Sequence, residues 1–189
     1  MLFIMTTFEL IKILQANAPM KSRQQEESFF QALEALEMRP ESEFDDSTFE
    51  QLCAVFIDDT GRMDGIGAIN RLLNVMYLQA KSPKHFYNLL DKNIYAFFPH
   101  ASEWLAIIIA EGIFTPNISK VLVETVSSFN STQAAILRDK LQETFQDEVL
   151  PTEAENFLAK LGRFVQMESS WATGSTPQKA GEQPNRTGV

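Results

Sequence analysis

The sequence predicts an all-α protein, because apolar residues recur at helical spacing along most of the chain and no alternating strand pattern of useful length occurs. The stripe Phe49, Leu52, Cys53 and Phe56 is a representative case of the spacing i, i+3, i+4, i+7. The chain has 189 residues, of which 44% are hydrophobic and fifteen are Phe, so it holds enough apolar surface for one packed core. We therefore expect a single all-helical domain over residues 1–171.

Helix-start signals divide this domain into nine predicted helices. Ser22–Gln25, Ser47–Glu50 and Thr152–Glu155 have the spacing of capping boxes, in which two side chains satisfy backbone N–H groups at a helix start. Ser82-Pro83 and Thr115-Pro116 each place an N-cap residue before a proline at the first helical position. The predicted helices cover roughly residues 6–18, 22–38, 46–57, 63–80, 83–98, 101–114, 116–129, 131–146 and 152–167.

Short connections predict that sequential helices are antiparallel neighbours. Helix pairs recur every roughly thirty to forty residues, which is typical of a short solenoid of the HEAT or armadillo kind. No diagnostic repeat consensus is visible, so an irregular helical bundle is the alternative. Residues 172–189 contain no aromatic residue and only one large aliphatic residue, Val189, which predicts a disordered C-terminal tail.

The charge of the chain disfavours several classes of partner. The net charge is −9 and the pI is near 4.7, whereas binding to nucleic acid or to an anionic membrane needs clustered cations. The longest apolar run, residues 104–110, is far shorter than the ~20 residues of a membrane span. One cysteine, Cys53, and no evident signal peptide favour a cytoplasmic location.

No catalytic, metal-binding or cofactor-binding motif is evident. The two histidines, His85 and His100, lie in no nucleophile motif, and with Cys53 they do not form a cluster of metal ligands. The glycines show neither a P-loop nor a dinucleotide-binding pattern. We expect a non-enzymatic protein, and a helical enzyme that uses a carboxylate pair is the least favoured alternative.

The acidic residues are concentrated in one segment. Residues 26–64 contain twelve acids and two arginines, a net charge of −10, whereas the rest of the chain carries +1. Solvated helix faces and first-turn acids explain part of this excess. The remainder favours an interaction surface for a basic partner, since concentrated charge steers association. The candidate partner-binding acids of this segment are Glu41, Glu43, Asp45, Asp46, Asp58, Asp59 and Asp64.

A second candidate lies in the segment Pro99–Leu105, which contains Glu103 and Trp104. A tryptophan in the first turn of an apolar helix is typical of a core position. Tryptophan is also a frequent anchor at protein interfaces. Both interpretations of Trp104 are open at this point, and Glu103 and Trp104 are included among the candidate partner-binding residues.

The segments Leu52–Asp59 (LCAVFIDD) and Pro99–Leu105 (PHASEWL), with a helix around Leu72-Leu73 between them, resemble the Immunity protein 30 family. The resemblance covers roughly residues 25–146. Its members are bacterial antidotes encoded beside polymorphic or contact-dependent toxins. The resemblance implies an all-α fold, no catalytic residues, and neutralisation of a toxin by binding.

The residues and the resemblance together predict a non-catalytic immunity protein that binds a cognate, basic toxin domain, such as a nuclease, through its acidic surface. The alternative is a HEAT-like scaffold or adaptor that binds another protein partner.

Overall fold

The computed structural model describes residues 5–61, 64–113, 118–127, 129–145, 152 and 154–162, and within these ranges the chain is helical and contains no strand. The predicted all-α fold is confirmed. Two short 3₁₀ helices, Glu41–Glu43 and Ile94–Phe97, lie between the longer elements. The α-helices are α1 (Thr7–Asn17), α2 (Arg23–Glu37), α3 (Asp46–Cys53), α4 (Asp64–Gln79), α5 (Pro83–Asn93), α6 (Ser102–Ile113), α7 (Ile118–Val126), α8 (Ser131–Thr144) and α9 (residues 154–162).

Capping side chains set several helix starts as the sequence predicts. The hydroxyl of Ser82 accepts a hydrogen bond from the His85 amide at 3.1 Å, and Pro83 follows at the first helical position. Ser22 caps α2 by accepting from the Gln25 amide at 3.2 Å. In a capping box the Gln25 side chain would accept a hydrogen bond from the Ser22 amide. It accepts instead from the amide of the preceding residue, Lys21.

The predicted capping box at Ser47 is wrong. The N-cap residue of α3 is Asp45, whose side chain accepts from the Thr48 amide at 2.8 Å and from the Thr48 hydroxyl at 2.9 Å. A capping box that the sequence analysis did not identify pairs Thr6 with Glu9 at the start of α1. The predicted starts at Thr115 and Thr152 involve residues outside the described ranges, as do the proposed tail at 172–189 and the end of the domain at 171.

The helices contact one another in an alternating order. α1 packs against α2 and α3, α3 packs against α5, and α5 packs against α7. On the other side, α2 contacts α4 and α6 contacts α8. Contacts between helices two positions apart occur in short solenoid-like stacks and in helical bundles, and the described contacts agree with both arrangements.

One continuous apolar core runs through these helices. Phe29, Phe56, Phe86 and Phe97 are fully buried in it. Phe56 lies beyond the end of α3, which stops at Cys53, and its ring packs against Phe97 at 5.2 Å between centroids. Cys53 is also buried, and desolvation raises the pKa of its thiol well above the usual range. This cysteine is therefore a core residue.

Two tyrosines tie α4 and α5 to α6. The hydroxyls of Tyr77 and Tyr87 lie 2.8 Å apart, and the Tyr87 hydroxyl donates to the Ile108 carbonyl at 3.1 Å. Burial raises the pKa of Tyr77 to about 12. Gly112 lies directly beside the Tyr87 ring, where an added Cβ atom would come within 2.6 Å of two ring carbons. The close approach of α6 to Tyr87 thus requires glycine at this position.

We expect Gly112→Ala to lower the free energy of unfolding by about 1–3 kcal/mol, because the new methyl group overpacks a site closed by a hydrogen-bonded tyrosine. Gly67→Ala is the matched control, since a Cβ atom at Gly67 meets nothing within 4 Å. That change should raise stability by roughly 0.5–1 kcal/mol through helix propensity. Urea unfolding followed by circular dichroism measures both changes, and equal effects at the two glycines would contradict the prediction.

Candidate functional site

The structure divides the predicted acidic segment among separate places. Glu41, Asp45 and Asp46 line one cleft. Glu43 belongs to a cluster at the start of α1, and Asp58 lies against the start of α6. Asp59 lies beside Lys21. These six candidate acids therefore occupy four separate local environments. The side chain of Asp64, at the start of α4, lies outside the described part of the chain.

The cleft, which we call the α3–α5 cleft, has a volume of about 190 Å³. It opens between the first turns of α3, the end of α4 and the start of α5. Its walls are apolar and polar in nearly equal parts, and the apolar side chains that line it are Phe44, Phe49, Leu52, Met76, Ala80 and Leu89. Phe49, Leu52, Met76 and Leu89 are themselves part of the core, so the floor of the cleft is fixed by the packing of three helices.

Charge is arranged unequally around this cleft. Carboxylates of Glu41, Asp45 and Asp46 line the side formed by the start of α3, and Lys81 and His85 line the side formed by the start of α5. Hydrogen bonds from the Thr48 amide and hydroxyl lower the pKa of Asp45, so this carboxylate stays charged to lower pH than usual. Asp46 pairs with Lys92 at 3.1 Å, and both of these side chains are exposed.

Glu41 differs from Asp45 and Asp46 because its carboxylate has neither an ion pair nor a hydrogen bond with another described residue. It is exposed and sits in the short 3₁₀ helix that leads into α3. An exposed carboxylate without an internal partner is free to contact another molecule at little cost to the fold. Within the α3–α5 cleft, Glu41 is thus the carboxylate most available to a partner.

Glu43 holds the N-terminal segment in place. The Thr7 hydroxyl donates to its carboxylate, and the Arg39 guanidinium lies 3.8 Å away. Arg39 also donates to the Met5 carbonyl. These contacts join the α2–α3 connection to the start of α1, and they assign Glu43 an internal structural task.

Asp58 caps α6 across a long stretch of sequence. Its carboxylate accepts hydrogen bonds from the Glu103 amide at 3.0 and 3.1 Å, from the Trp104 amide at 3.3 Å and from the Ser102 hydroxyl at 3.2 Å. Its own amide donates to the His100 carbonyl at 2.8 Å. A negative charge at a helix N-terminus satisfies amides that have no partner inside the helix and complements the helix dipole.

Trp104 completes this contact. Its indole Nε1 donates to the Ile57 carbonyl at 3.1 Å, and its ring lies 6.1 Å from that of Phe56. The side chain is buried, with only 4% of the residue exposed, so the core interpretation of Trp104 is confirmed. We call the contact of Ile57 and Asp58 with residues 100–104 the Asp58 clasp. The surface that a partner could reach therefore does not include the Trp104 ring, and the half-buried Asp58 carboxylate is already engaged by the start of α6.

Two further candidates lie at the surface near the clasp. Glu103 is exposed and accepts a hydrogen bond from Lys140 of α8 at 2.8 Å. This hydrogen bond, and to a lesser extent the one from Lys140 to Glu143, raises the pKa of Lys140. Asp59 approaches Lys21 at 3.8 Å, where both side chains are mostly exposed. Such exposed pairs contribute little to stability, and both acids remain accessible.

The described residues show no group of three or more His, Cys, Asp or Glu side chains placed to hold a metal ion. In the same part of the chain, no helix is both long enough and apolar enough to cross a bilayer. Comparison with family models, with curated proteins and with solved structures found no match to this chain. The site is therefore interpreted from its own geometry.

Sequence reasoning identified the acidic rim of the α3–α5 cleft but missed the other groups that line it. Lys81 and His85 come from segments that neither charge nor periodicity connects to α3, and Phe44 lies two residues before α3 but belongs to no apolar stripe. The only local signal was Phe44 itself, an aromatic residue isolated among acids in the α2–α3 connection.

The Asp58 clasp predicts unequal effects at two adjacent aspartates. Asp58→Ala should lower the free energy of unfolding by about 1–2 kcal/mol, because three backbone or hydroxyl donors at α6 lose their acceptor. Asp59→Ala should change it by less than about 0.5 kcal/mol, because its pairing is exposed. Thermal and urea unfolding of the two variants measure the difference. Equal stability of both variants would show that the clasp does not hold α6.

Proposed function

We propose that this protein is a non-catalytic immunity protein that binds and neutralises a cognate bacterial toxin domain with a basic surface. The observation that supports the proposal is the α3–α5 cleft, a concave site of mixed apolar and polar lining, with three acids from the most acidic segment of the chain at its rim. A protein that occupies a basic active site needs negative charge and shape, and it needs no reactive group of its own. The resemblance of the Asp58 clasp segments to the Immunity protein 30 family supplies the class of partner.

Three features of the described residues agree with a binding role. Buried polar side-chain atoms in the described part of the chain all have hydrogen-bond partners, so no unpaired polar group is available there to bind a substrate. The buried Cys53 thiol has a raised pKa, which removes it as a nucleophile. Hydrogen bonds from Thr48 lower the pKa of Asp45, which favours the charged form of this carboxylate at the cleft rim and suits contact with lysine and arginine side chains.

A scaffold or adaptor that resembles HEAT proteins is the second candidate. The alternating contacts of α1 with α3, α3 with α5 and α5 with α7 favour it, since stacked helix hairpins form extended binding surfaces in such proteins. The two candidates differ in the partner: the immunity protein relieves the lethality of a toxin encoded beside it, and the scaffold does not.

Co-expression with the toxin domain encoded by an adjacent gene tests the proposal. We expect the wild-type protein to restore growth, and we expect the purified pair to associate at a rate that falls as salt is added, because exposed charges are screened. Growth that remains arrested with every neighbouring toxin candidate would refute toxin neutralisation and leave the scaffold function.

A pair of charge reversals tests the part played by the cleft rim. Glu41→Lys with Asp46→Lys should slow association with the toxin domain by about tenfold or more, because the rim then repels a basic surface. Glu124→Lys with Glu155→Lys is the matched control, since it makes the same change in net charge at exposed positions on α7 and α9. Surface plasmon resonance measures the association rates of both variant pairs. Equal slowing by the two pairs would indicate a general effect of net charge.

A further inference from the structure

The size of the α3–α5 cleft limits what it accepts. Its volume of about 190 Å³ is below the ~300–1,000 Å³ of sites that enclose whole small-molecule ligands. A cleft of this size on a protein surface suits a single large side chain inserted by a partner. Interfaces commonly concentrate their binding energy in such anchors, of which Trp, Tyr and Arg are the most frequent.

The chemistry of the walls distinguishes among these anchors. Among the residues that line the cleft, the acids Glu41, Asp45 and Asp46 outnumber the one lysine, Lys81, so the rim matches a cation and leaves an indole or phenol without charge complementarity. The apolar surface of Phe44 and Met76 matches an aliphatic stem. A guanidinium binds carboxylates in a planar geometry and also stacks on aromatic rings. A lysine ammonium does both less well, so arginine matches the cleft better than lysine.

The internal contacts of the rim show which carboxylates are available for this role. Asp45 accepts two hydrogen bonds from Thr48 and is committed to the start of α3. Glu41 has no cation within ion-pair distance among the described residues, and the pair that Asp46 forms with Lys92 is exposed and thus readily exchanged. Two carboxylates on the same side of the cleft are therefore open to an incoming cation.

We propose that the α3–α5 cleft is an anchor site for one arginine side chain of the partner protein. The guanidinium binds Glu41 and Asp46, and the stem lies over Phe44 and Met76. This inference rests on the proposed function, because it specifies how the acidic surface recognises a basic toxin domain.

The test uses the full-length protein and two short amidated peptides, one with a single arginine between two leucines and one with citrulline in place of that arginine. Citrulline has nearly the same shape and no charge. We expect the arginine peptide to bind about tenfold more tightly or better, since charge-assisted hydrogen bonds are lost with citrulline. Nuclear magnetic resonance titration should place the largest saturable shifts at the backbone amides of Phe44 and Lys81.

Three variants locate the binding site. Glu41→Gln removes one charge at the rim and should weaken binding of the arginine peptide by about tenfold. Ala80→Phe fills the cleft without changing the charge, and it should abolish the saturable shifts. Glu50→Gln is the control, because Glu50 is an exposed acid of α3 that does not line the cleft, and it should leave the affinity within about twofold.

Equal affinity for the two peptides, absence of saturable binding, or unchanged binding to the Ala80→Phe variant would overturn the anchor site. If the protein also neutralises a toxin in that case, the proposed function stands and only the arginine site is lost. If the arginine peptide binds in the cleft and no neighbouring toxin is neutralised, the anchor site stands and its partner belongs to a different class of protein.

Discussion

Asp58 lies after α3 in the chain, yet its carboxylate receives the amides of Glu103 and Trp104 at the start of α6. Because α4 and α5 lie between these residues in sequence, the clasp closes a segment of more than forty residues on itself. Phe56 packs under the clasp against the Trp104 ring of α6 and against Phe97, so the capping contact and the core fix the same position of α6. The clasp thereby holds the segment that follows α3 against the start of α6.

Local rules predicted the helices well because capping and periodicity act over a few residues. They failed where several residues compete for one role. Asp45, Asp46 and Ser47 are consecutive and are all good N-cap residues, and spacing favoured Ser47 because Glu50 follows it at the correct distance. In the structure Asp45 takes the role and bonds to Thr48, with the Thr48 hydroxyl also reaching the Glu43 carbonyl. Contacts of the preceding turn, which no local pattern describes, decide between the candidates.

The acidic segment shows a different limit of sequence reasoning. A count of charges locates the excess between residues 26 and 64, but it does not distinguish a carboxylate that faces a partner from one that holds the fold. Glu43 is bound by Thr7, which lies 36 positions away, and by the nearby Arg39, and Asp58 is bound by Glu103, which lies 45 positions away. Glu41 has no such contact with the described cations. Only the three-dimensional packing separates these roles, since the residues are chemically alike.

The segments that resemble the Immunity protein 30 family are largely those that form the clasp, whereas the α3–α5 cleft uses residues outside them, such as Glu41, Phe44 and Lys81. Under the proposed function, the residues that hold the fold and those that bind the partner are therefore different. The two tasks place different demands on a side chain: the clasp requires an exact set of donors and acceptors around Asp58, and the rim requires only charge and shape that match one partner. Under the proposed function, substitutions at the rim change the partner while the fold is retained, and substitutions of Asp58 act first on the stability of α6.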